Sequence, residues 1–498
     1  MPTPPFVSSF SRVFFQRGGS GAALKPGYHG NWRAGTPSWD QGDLTTIREP
    51  DPATYGRFIN VGRYRGEPGN PELSIMARYT LDKSVLLAAA RDGCDNTLHV
   101  HMGECQNPQD FNRGWTKKVV LERAGITSYG TDADLGAMEP GDTSPVNEDV
   151  PFTGLDYYEV SRLNMSSIGG AVLTREVTSI YVCDRAQCGA CGASTDGCQV
   201  VLALEGALSA SPGLPPTVLY STDGGTTWAE VSITTLGANE SGSALVCIGE
   251  NTVVFSADSE SLHYANTADL VLGSPTWTEV TTGFVATHGP LAVFSLGANE
   301  TWIVGEGGYI YFTDDPTLGV EVSDAGSATV EDLNDVHAID SLNIVAVGDN
   351  NAMVSTSNGG ASWEAITGPA VGVALNAIWM HTLQEWYVGA ANGNLYYTLN
   401  AGTTWTQKAF TGDGAGSVRD IVFVTPSVGY MAHSTAAPAG RILRTTDGGY
   451  SWYVIPEGTG NIPANDYVAQ LALCGDPNIV FGGGLADNAV DGFIVKAA

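Results

Sequence analysis

The sequence predicts a mostly all-β protein, in which a seven-bladed β-propeller over residues 171–498 follows a small β-sandwich domain with one helix. Three observations carry this prediction. One turn motif occurs four times in the second half of the chain, and the copies are spaced by about the length of a four-stranded blade. The composition agrees, because 62 glycines and a charged fraction of only 15% suit a chain rich in tight turns.

The repeated motif has the form [ST]-x-[DN]-x-G-x-x-W. The Asp or Asn side chain can accept hydrogen bonds from the backbone that follows it, and glycine supplies the positive φ of a tight turn. The Trp begins the returning strand, so each copy predicts a β-hairpin. The motif residues are Asp223, Gly225 and Trp228; Asn358, Gly360 and Trp363; Asn400, Gly402 and Trp405; and Asp447, Gly449 and Trp452.

The spacing of the motif predicts the number of blades. Two degenerate copies lie between the first two complete ones: Tyr264–Trp277 carries an insertion, and Tyr311–Pro316 has lost the Trp. With Trp277 included, the Trp intervals are 49, 86 (two units of 43), 42 and 47 residues. Each unit is long enough for four strands. Seven inner strands are predicted at 178–183, 243–248, 290–296, 334–339, 375–380, 418–423 and 468–474, and 171–176 is predicted to close the ring.

The motif resembles the Asp-box repeat of sialidases and of related non-enzymatic propellers such as photosystem assembly factors. The resemblance covers roughly residues 176–498 and implies the hairpin, without implying an activity. Sialidase chemistry would require three arginines that converge on the substrate carboxylate. Residues 201–498 contain Arg419, Arg441 and Arg444, but Arg441 and Arg444 belong to one predicted strand beside a repeat motif at the periphery of its blade. We therefore expect no enzyme activity, and a glycoside hydrolase is the last of three alternatives.

Residues 1–45 contain many glycines and prolines and are predicted to form an extended arm, followed by the β-sandwich domain at 46–170. Strands are predicted at Tyr55–Arg65 and Leu73–Tyr79, paired as a hairpin around 66–71. A helix is predicted from Leu81 to Asp92, with Thr80 as its N-cap.

The order of these elements resembles a tail-tube protein of long-tailed bacteriophages. The resemblance rests on the glycine-rich arm, Glu49-Pro50-Asp51-Pro52-Ala53-Thr54-Tyr55-Gly56-Arg57-Phe58, the single helix and Leu135-Gly136-Ala137-Met138-Glu139-Pro140-Gly141-Asp142. It implies a homo-oligomeric, hexameric ring that stacks into a tube. In that family the hairpin lining the tube is usually neutral or acidic, whereas the hairpin predicted here carries four arginines.

Eight cysteines are present, and four of them form the spaced cluster Cys183-x4-Cys188-x2-Cys191-x6-Cys198. Two disulfides within the cluster are favoured over a structural Zn²⁺ site, because zinc ribbons usually combine two C-x-x-C knuckles and only one is present. Cys94 and Cys105 flank one predicted strand and are candidates for a third disulfide. Cys247 and Cys474 are predicted to be small buried residues.

The formal charge of −30 is concentrated in the propeller, where residues 201–498 hold 30 acidic and five basic residues. Such a surface repels nucleic acid and anionic membranes, so no sequence-specific nucleic-acid binding is expected. No apolar run is long enough to span a membrane, and the first residues do not resemble a secretory signal.

The sequence therefore favours a virion structural protein of the phage tail, in which the first domain assembles with itself and the propeller faces outward to contact host-surface glycans. The aromatic residues Trp379, Trp386 and Tyr387 are candidates for stacking on a sugar. The alternative is a stand-alone binding or assembly-factor propeller, located outside the cell or in the periplasm.

Overall fold

A computed structural model of the protein divides into two compact units, Met1–Arg162 and Leu163–Ala498. The first unit therefore ends eight residues before the predicted boundary at residue 170. The structure describes residues 12–18, 21–28, 32–34, 44–50, 58–65, 72–78, 96–102, 111–112, 115–126, 147–168, 176–183, 200–206, 216–237, 240–248, 251–296, 300–369, 372–410, 416–434, 440–456, 462, 466–485 and 492–498.

The described part of the first unit is built from ten strands. They are β1 (Arg12–Gln16), β2 (Gly27–Tyr28), β3 (Trp32–Ala34), β4 (Leu44–Pro50), β5 (Phe58–Arg65), β6 (Glu72–Arg78), β7 (Asn96–Met102), β8 (Lys117–Ile126), β9 (Asn147–Thr153) and β10 (Asp156–Ser161). Eight of them form one sheet in the order β2-β1-β7-β8-β9-β6-β3, with β10 also paired to β8. β4 and β5 form a separate two-stranded sheet.

Two predictions for the first unit were wrong. The predicted arm contributes β1, β2 and β3 to the main sheet, because the apolar run Val13-Phe14-Phe15 is buried and pairs with β7. The strand at Phe58–Arg65 pairs with β4 rather than with Glu72–Arg78, which instead pairs with β3 and β9. The predicted helix at 81–92 lies outside the described residues.

The core of the first unit is apolar but encloses two histidines. Val13, Leu98, Val119 and Leu121 are among its buried residues. His99 and His101 are fully buried beside this core, and burial lowers the pKa of both imidazoles well below the usual range. Because both side chains lie in the interior, this pair is a part of the packing of the unit.

The second unit contains seven four-stranded antiparallel sheets, or blades, among its described residues. The strands of blades one to four are β12 (Val177–Cys183), β13 (Val200–Glu205), β14 (Thr217–Ser221), β15 (Ala229–Ser232); β16 (Gly242–Ile248), β17 (Thr252–Ala257), β18 (Ser261–Asn266), β19 (Thr278–Val280); β20 (Pro290–Leu296), β21 (Glu300–Gly305), β22 (Tyr309–Thr313), β23 (Glu321–Ala325); and β24 (Leu333–Ala338), β25 (Ile344–Gly348), β26 (Met353–Thr356), β27 (Glu364–Ala365).

Blades five to seven continue the same pattern. Their strands are β28 (Leu375–Met380), β29 (Trp386–Ala390), β30 (Leu395–Thr398), β31 (Thr406–Lys408); β32 (Ser417–Phe423), β33 (Gly429–Ser434), β34 (Gly440–Thr445), β35 (Tyr453–Val454); and β36 (Tyr467–Leu473), β37 (Val480–Leu485), β38 (Phe493–Ala497), completed by β11 (Met165–Ile168). The inner strands, the first of each blade, contact one another around a closed ring, and β12 also contacts β36. All seven predicted inner strands are confirmed to within one residue at each end.

The closing strand differs from the prediction. β11 is the outermost strand of blade seven, and it pairs Met165 with Ala497 and Ile168 with Ile494. The predicted donor at 171–176 lies almost entirely outside the described residues, and the chain has already supplied its closing strand before that point. Pairing the two ends of the unit in one sheet leaves β38 no free edge.

The degenerate copies of the motif also have structural counterparts. The insertion before Trp277 is a short helix, α1 (Thr267–Val271), which is capped by the side chain of Asn266. Trp277 is buried in the core shared by blades one and two. No helix in the described part of the chain is long and apolar enough to cross a membrane.

Candidate ligand-binding site

We call the segment from the hydroxyl residue to the Trp of each motif a repeat turn. The four repeat turns share the same pattern of hydrogen bonds. In the first copy the Ser221 hydroxyl donates to Asp223 Oδ1 at 2.8 Å and accepts from the Gly225 N–H at 2.8 Å. The Thr227 N–H donates to the same Asp223 oxygen at 2.8 Å. The same three bonds recur in the turns that contain Asn358, Asn400 and Asp447.

The glycine two positions after the Asp or Asn of each repeat turn is required by its conformation and by its neighbours. Gly225, Gly360, Gly402 and Gly449 all have φ between 79° and 89°. A Cβ on Gly360 would lie 2.6 Å from the ring of Trp302 in blade three, and one on Gly449 would lie 2.7 Å from Tyr387 in blade five. These turns therefore lock adjacent blades together, which is a structural role. The Trp residues pack in the same regions, with Trp363 and Trp452 buried and Trp228 and Trp405 partly exposed.

The cysteines pair differently from the prediction. Cys183 forms a disulfide with Cys247, which joins the inner strands of blades one and two. Cys474, at the end of the inner strand of blade seven, is also disulfide-bonded. The prediction overlooked the Cys183–Cys247 pair because the two cysteines are 64 residues apart in sequence but lie on adjacent inner strands. Cys188, Cys191, Cys198, Cys94 and Cys105 lie outside the described residues, and the proposed four-cysteine zinc site loses Cys183 to this disulfide.

The inner strands surround a central tunnel, and each carries a β-bulge near its first residue. One cavity, of about 150 Å³, lies at the end of the tunnel where the bulges are. The bulged residues of all seven blades line it: Thr178, Ser243, Leu291, Asn334, Asn376, Arg419 and Ala469. We call this the bulge end. The inner strands therefore all run in the same direction along the tunnel.

In five blades the residue after the bulge lines one of the two cavities of the tunnel. In four blades this residue is polar and bonds to the next blade. Asp335 accepts the Ile378 N–H of blade five at 2.8 Å, and Asp420 accepts the Leu471 N–H of blade seven at 2.7 Å. Gln470 accepts the Ile180 N–H and the Ser179 hydroxyl of blade one at 3.0 and 2.6 Å. These side chains hold neighbouring inner strands in register around the tunnel.

The other end of the tunnel opens into a larger cavity of about 240 Å³. Aromatic residues lie two positions beyond the polar ring, and we call this opening the aromatic mouth. Its wall includes Tyr181, Phe294, His337 and Trp379, and its floor includes Asp335, Asp420 and Gln470. The Phe294 and His337 ring centroids are 4.7 Å apart, and those of His337 and Trp379 are 4.3 Å apart, so three adjacent blades form one aromatic arc.

His337 offers a hydrogen-bond donor to the aromatic mouth. Its side chain is only 6% exposed, and its Nδ1 accepts the Met380 N–H at 3.3 Å. Burial lowers the pKa of His337 to about 3, so the ring is neutral at physiological pH. A neutral ring that accepts at Nδ1 carries its proton on Nε2. This nitrogen has no hydrogen-bond partner among the described residues.

The pKa values of both carboxyl groups of the floor are raised, because burial destabilises their ionised forms. Burial raises the pKa of Asp420 to about 6, against the opposing effect of hydrogen bonds from the Leu471 and Ile421 N–H groups. Burial, and then the charge of Asp420, raises the pKa of Asp335 well above its usual range. Neither carboxylate has a cationic partner in the described part of the chain. The aromatic mouth is thus a half-buried acidic pocket whose charge is not balanced from within.

The stability of the propeller is expected to depend on the protonation of Asp420. Its folded-state pKa lies above the unfolded value, so its favourable contribution is present at low pH and is lost as the pH rises through about 6. Asp420→Asn removes this dependence. We expect the free energy of unfolding of the wild type, relative to that of the variant, to fall by roughly 2 kcal/mol between pH 4.5 and pH 7.5.

Urea denaturation at several pH values measures this difference. The variant keeps only one of the two acceptor oxygens, which costs stability equally at every pH. Glu364→Gln, on the exposed outer strand of blade four, is the matched control and should track the wild type. Parallel pH profiles for the wild type and Asp420→Asn would contradict the prediction.

The candidate residues for binding are only partly brought together. Trp379 lines the aromatic mouth and is half-buried, whereas Trp386 and Tyr387 are buried inside blade five. Arg444 is buried and donates to the Pro477 carbonyl oxygen, and Arg419 lies at the bulge end. His337, Asp335 and Asp420 were missed by the sequence analysis. The sequence offered one signal for the two aspartates, because each is a charged residue that precedes apolar residues within a predicted inner strand.

Comparisons with solved structures support the propeller fold. The structure is similar to YCF48 bound to D1 peptide, with a TM-score of 0.50 and 14% identity, covering 68% of this chain and 94% of that chain. It is also similar to a catalytically inactive virginiamycin B lyase from Staphylococcus aureus with quinupristin, with a TM-score of 0.50 and 12% identity, covering 68% of this chain and 99% of that chain. YCF48 from Cyanidioschyzon merolae gives a TM-score of 0.49 at 16% identity, over 67% of this chain and 98% of that one.

At these identities the comparisons establish the fold alone. The similar structures include a peptide-bound protein and a lyase, so the fold hosts both binding and catalysis. No model of a known protein family matches the chain, and no curated protein matches it in sequence. The function must therefore be argued from the site.

Proposed function

We propose that the second unit is a non-enzymatic binding propeller whose aromatic mouth takes a carbohydrate. The observation that carries the proposal is the arc of Phe294, His337 and Trp379 above a floor of hydrogen-bond acceptors. Half-exposed aromatic rings offer an apolar face to the C–H side of a sugar ring, and the polar groups beneath can bind its hydroxyls. A cavity of about 240 Å³ is of a size for one sugar residue rather than a large ligand.

The absence of enzyme activity is part of the same proposal. Sialidase-type chemistry needs arginines around the substrate carboxylate, and Arg419, Arg441 and Arg444 do not line the aromatic mouth. Among the described residues, Asp335 and Asp420 are the only ones that bring a carboxyl group to this cavity, and a hydrolase would use such a pair as acid and base. Each instead holds backbone N–H groups, a task that Ser179 and Gln470 perform in other blades. We therefore assign the two carboxyl groups a structural and binding role.

A glycan array probed with the full chain tests the proposal. Trp379→Ala removes the largest stacking face and is expected to weaken binding to the recognised glycans at least tenfold. Trp405→Ala is the matched control, because Trp405 is partly exposed on the same blade but donates to the Thr367 carbonyl oxygen away from the tunnel.

Three results would contradict the proposal. The first is equal glycan binding by wild type and Trp379→Ala. The second is release of sugar from the bound glycans, which would replace binding by hydrolysis. The third is Trp379-dependent binding on a peptide array without binding to glycans, which would show that the ligand of the aromatic mouth is a peptide.

We also propose that the first unit mediates self-assembly into a hexameric ring or tube, as the resemblance to phage tail-tube proteins implies. The proposal is supported by β4 and β5, which form their own two-stranded sheet and pair with no other strand in the part of the first unit that the structure describes. A hairpin of this kind is suited to pairing between subunits. The virion tail is the corresponding location, with the propellers exposed on the particle.

Negative-stain electron microscopy with light scattering tests the assembly proposal. Purified protein is expected to form rings or tubes carrying globular knobs. Replacing residues 51–57, which connect β4 to β5, with a short Gly-Ser linker should reduce assembly. Replacing the loop 340–343 between the first two strands of blade four is the control and should leave assembly intact. Monodisperse monomers at high wild-type concentration would contradict the proposal.

A further inference from the structure

The aromatic mouth contains two carboxyl groups that form no ion pair with any of the described residues. Asp335 and Asp420 both line the cavity, and the charge of one disfavours ionisation of the other. Arg and Lys are absent from the described lining of this cavity. The nearest propeller arginine along the chain, Arg419, lies at the bulge end, with its guanidinium carbon 3.9 Å from the ring centre of Tyr467. Arg419 shares the bulge-end cavity with Asp335 and Asp420 but is not part of the described lining of the aromatic mouth, so a positively charged group entering the mouth would meet two carboxyl groups and no arginine or lysine there.

The remaining lining adds two further requirements for a ligand. The His337 Nε2–H is a buried donor without a partner among the described residues, so the ligand should carry a hydroxyl or carbonyl oxygen. The rings of Trp379 and Phe294 are half-buried and offer apolar faces next to this donor. One ligand that satisfies the carboxylates, the donor and the aromatic faces together is a sugar ring bearing an ammonium group.

We propose that the aromatic mouth selects an amino sugar with a free ammonium group, such as a hexosamine residue, over neutral, N-acetylated and acidic sugars. The inference rests on the carbohydrate-binding function proposed above and specifies its ligand class. The pyranose ring stacks on Trp379, the ammonium group lies between Asp335 and Asp420, and one hydroxyl accepts from His337. A uronate or a sialic acid would bring a further negative charge to the floor and is excluded.

Calorimetric titration of the full chain with four sugars tests the selection. At pH 7.5, D-glucosamine is expected to bind at least tenfold more tightly than glucose or N-acetyl-D-glucosamine, and D-glucuronate should not bind. Asp420→Asn is expected to reduce the preference for glucosamine over glucose to less than threefold. Glu364→Gln is the control for a lost surface carboxylate and should keep the full preference.

A second measurement uses only the wild type and does not depend on the folding of a variant. An ammonium group between the two carboxyl groups favours their ionised forms, so glucosamine binding at pH 6 should release protons, whereas glucose binding should release none. Titrations in two buffers of different ionisation enthalpy reveal the release. Equal affinity for glucosamine and glucose, with no proton release, would overturn the amino-sugar selection while leaving carbohydrate binding intact.

The two proposals fail in different ways. Binding of neutral glycans that depends on Trp379, with no preference for glucosamine, refutes only the selection of an amino sugar. Absence of binding to every sugar tested, together with an array that shows no Trp379-dependent glycan, refutes both proposals.

Discussion

Gly449→Ala is expected to lower the free energy of unfolding of the propeller by roughly 3–5 kcal/mol. Gly449 has a φ of 81°, which costs an L-residue about 1–2 kcal/mol. The added Cβ would also lie 2.7 Å from the ring of Tyr387. Tyr387 is fully buried, and its hydroxyl donates to the Gly448 carbonyl oxygen at 2.6 Å, so the ring cannot move aside without breaking that bond.

Gly475→Ala separates the cost of the positive φ from the cost of the steric clash. Gly475 has nearly the same φ, 83°, but a Cβ there would meet no atom within 4 Å. Urea denaturation of the two variants should therefore give a loss of about 1–2 kcal/mol for Gly475→Ala and a clearly larger one for Gly449→Ala. Equal losses would show that backbone strain alone matters and that the repeat turn does not lock blade six onto blade five.

The fold of the second unit was predictable because its information is local and repeated. Each repeat turn specifies its own hairpin through a hydroxyl, an Asx side chain and a glycine within eight residues. A run of apolar residues then marks each inner strand, and the period fixes how many strands a blade holds. The Trp277 copy shows that the pattern survives an insertion, because α1 is accommodated outside the sheet.

The errors share one cause, which is pairing between segments distant in sequence. Cys183 forms its disulfide with Cys247, 64 positions away. The strand that pairs with β38 is β11, which lies more than 320 residues earlier in the chain. Likewise β4 and β6 are both plausible partners for β5 on alternation alone. Local patterns predict that a strand exists, but the choice of its neighbour depends on packing over the whole unit.

The candidate site was less predictable than the fold for a related reason. Trp379 was identified from its residue type, whereas Asp335, Asp420 and His337 seemed to be ordinary members of apolar strands. Asp335 and Asp420 each directly follow a β-bulge of an inner strand and line the tunnel, and His337 lies two residues beyond Asp335. The ring of seven such positions exists only after closure, so no single blade reveals it.

Cys247→Ser is expected to lower the free energy of unfolding by roughly 3–4 kcal/mol. The disulfide with Cys183 joins the inner strands of blades one and two across a sequence separation of 64 residues, so its loss releases a long loop in the unfolded chain. Blade one adjoins blade seven, where β11 closes the ring, so the bond lies next to the seam between the two ends of the unit. We therefore expect the loss to appear as earlier unfolding of the whole propeller.

Calorimetry of the wild type, Cys247→Ser and the double variant Cys183→Ser/Cys247→Ser tests this. The double variant should match the single variant within about 0.5 kcal/mol, because both lack the same bond. Peptide mapping without reductant should recover the pair Cys183–Cys247 in the wild type. Unchanged stability in both variants would contradict the prediction. It would mean that the ring stays closed without the disulfide, through inter-blade packing and the hydrogen bonds of Ser179 with Gln470 and with the Leu245 N–H.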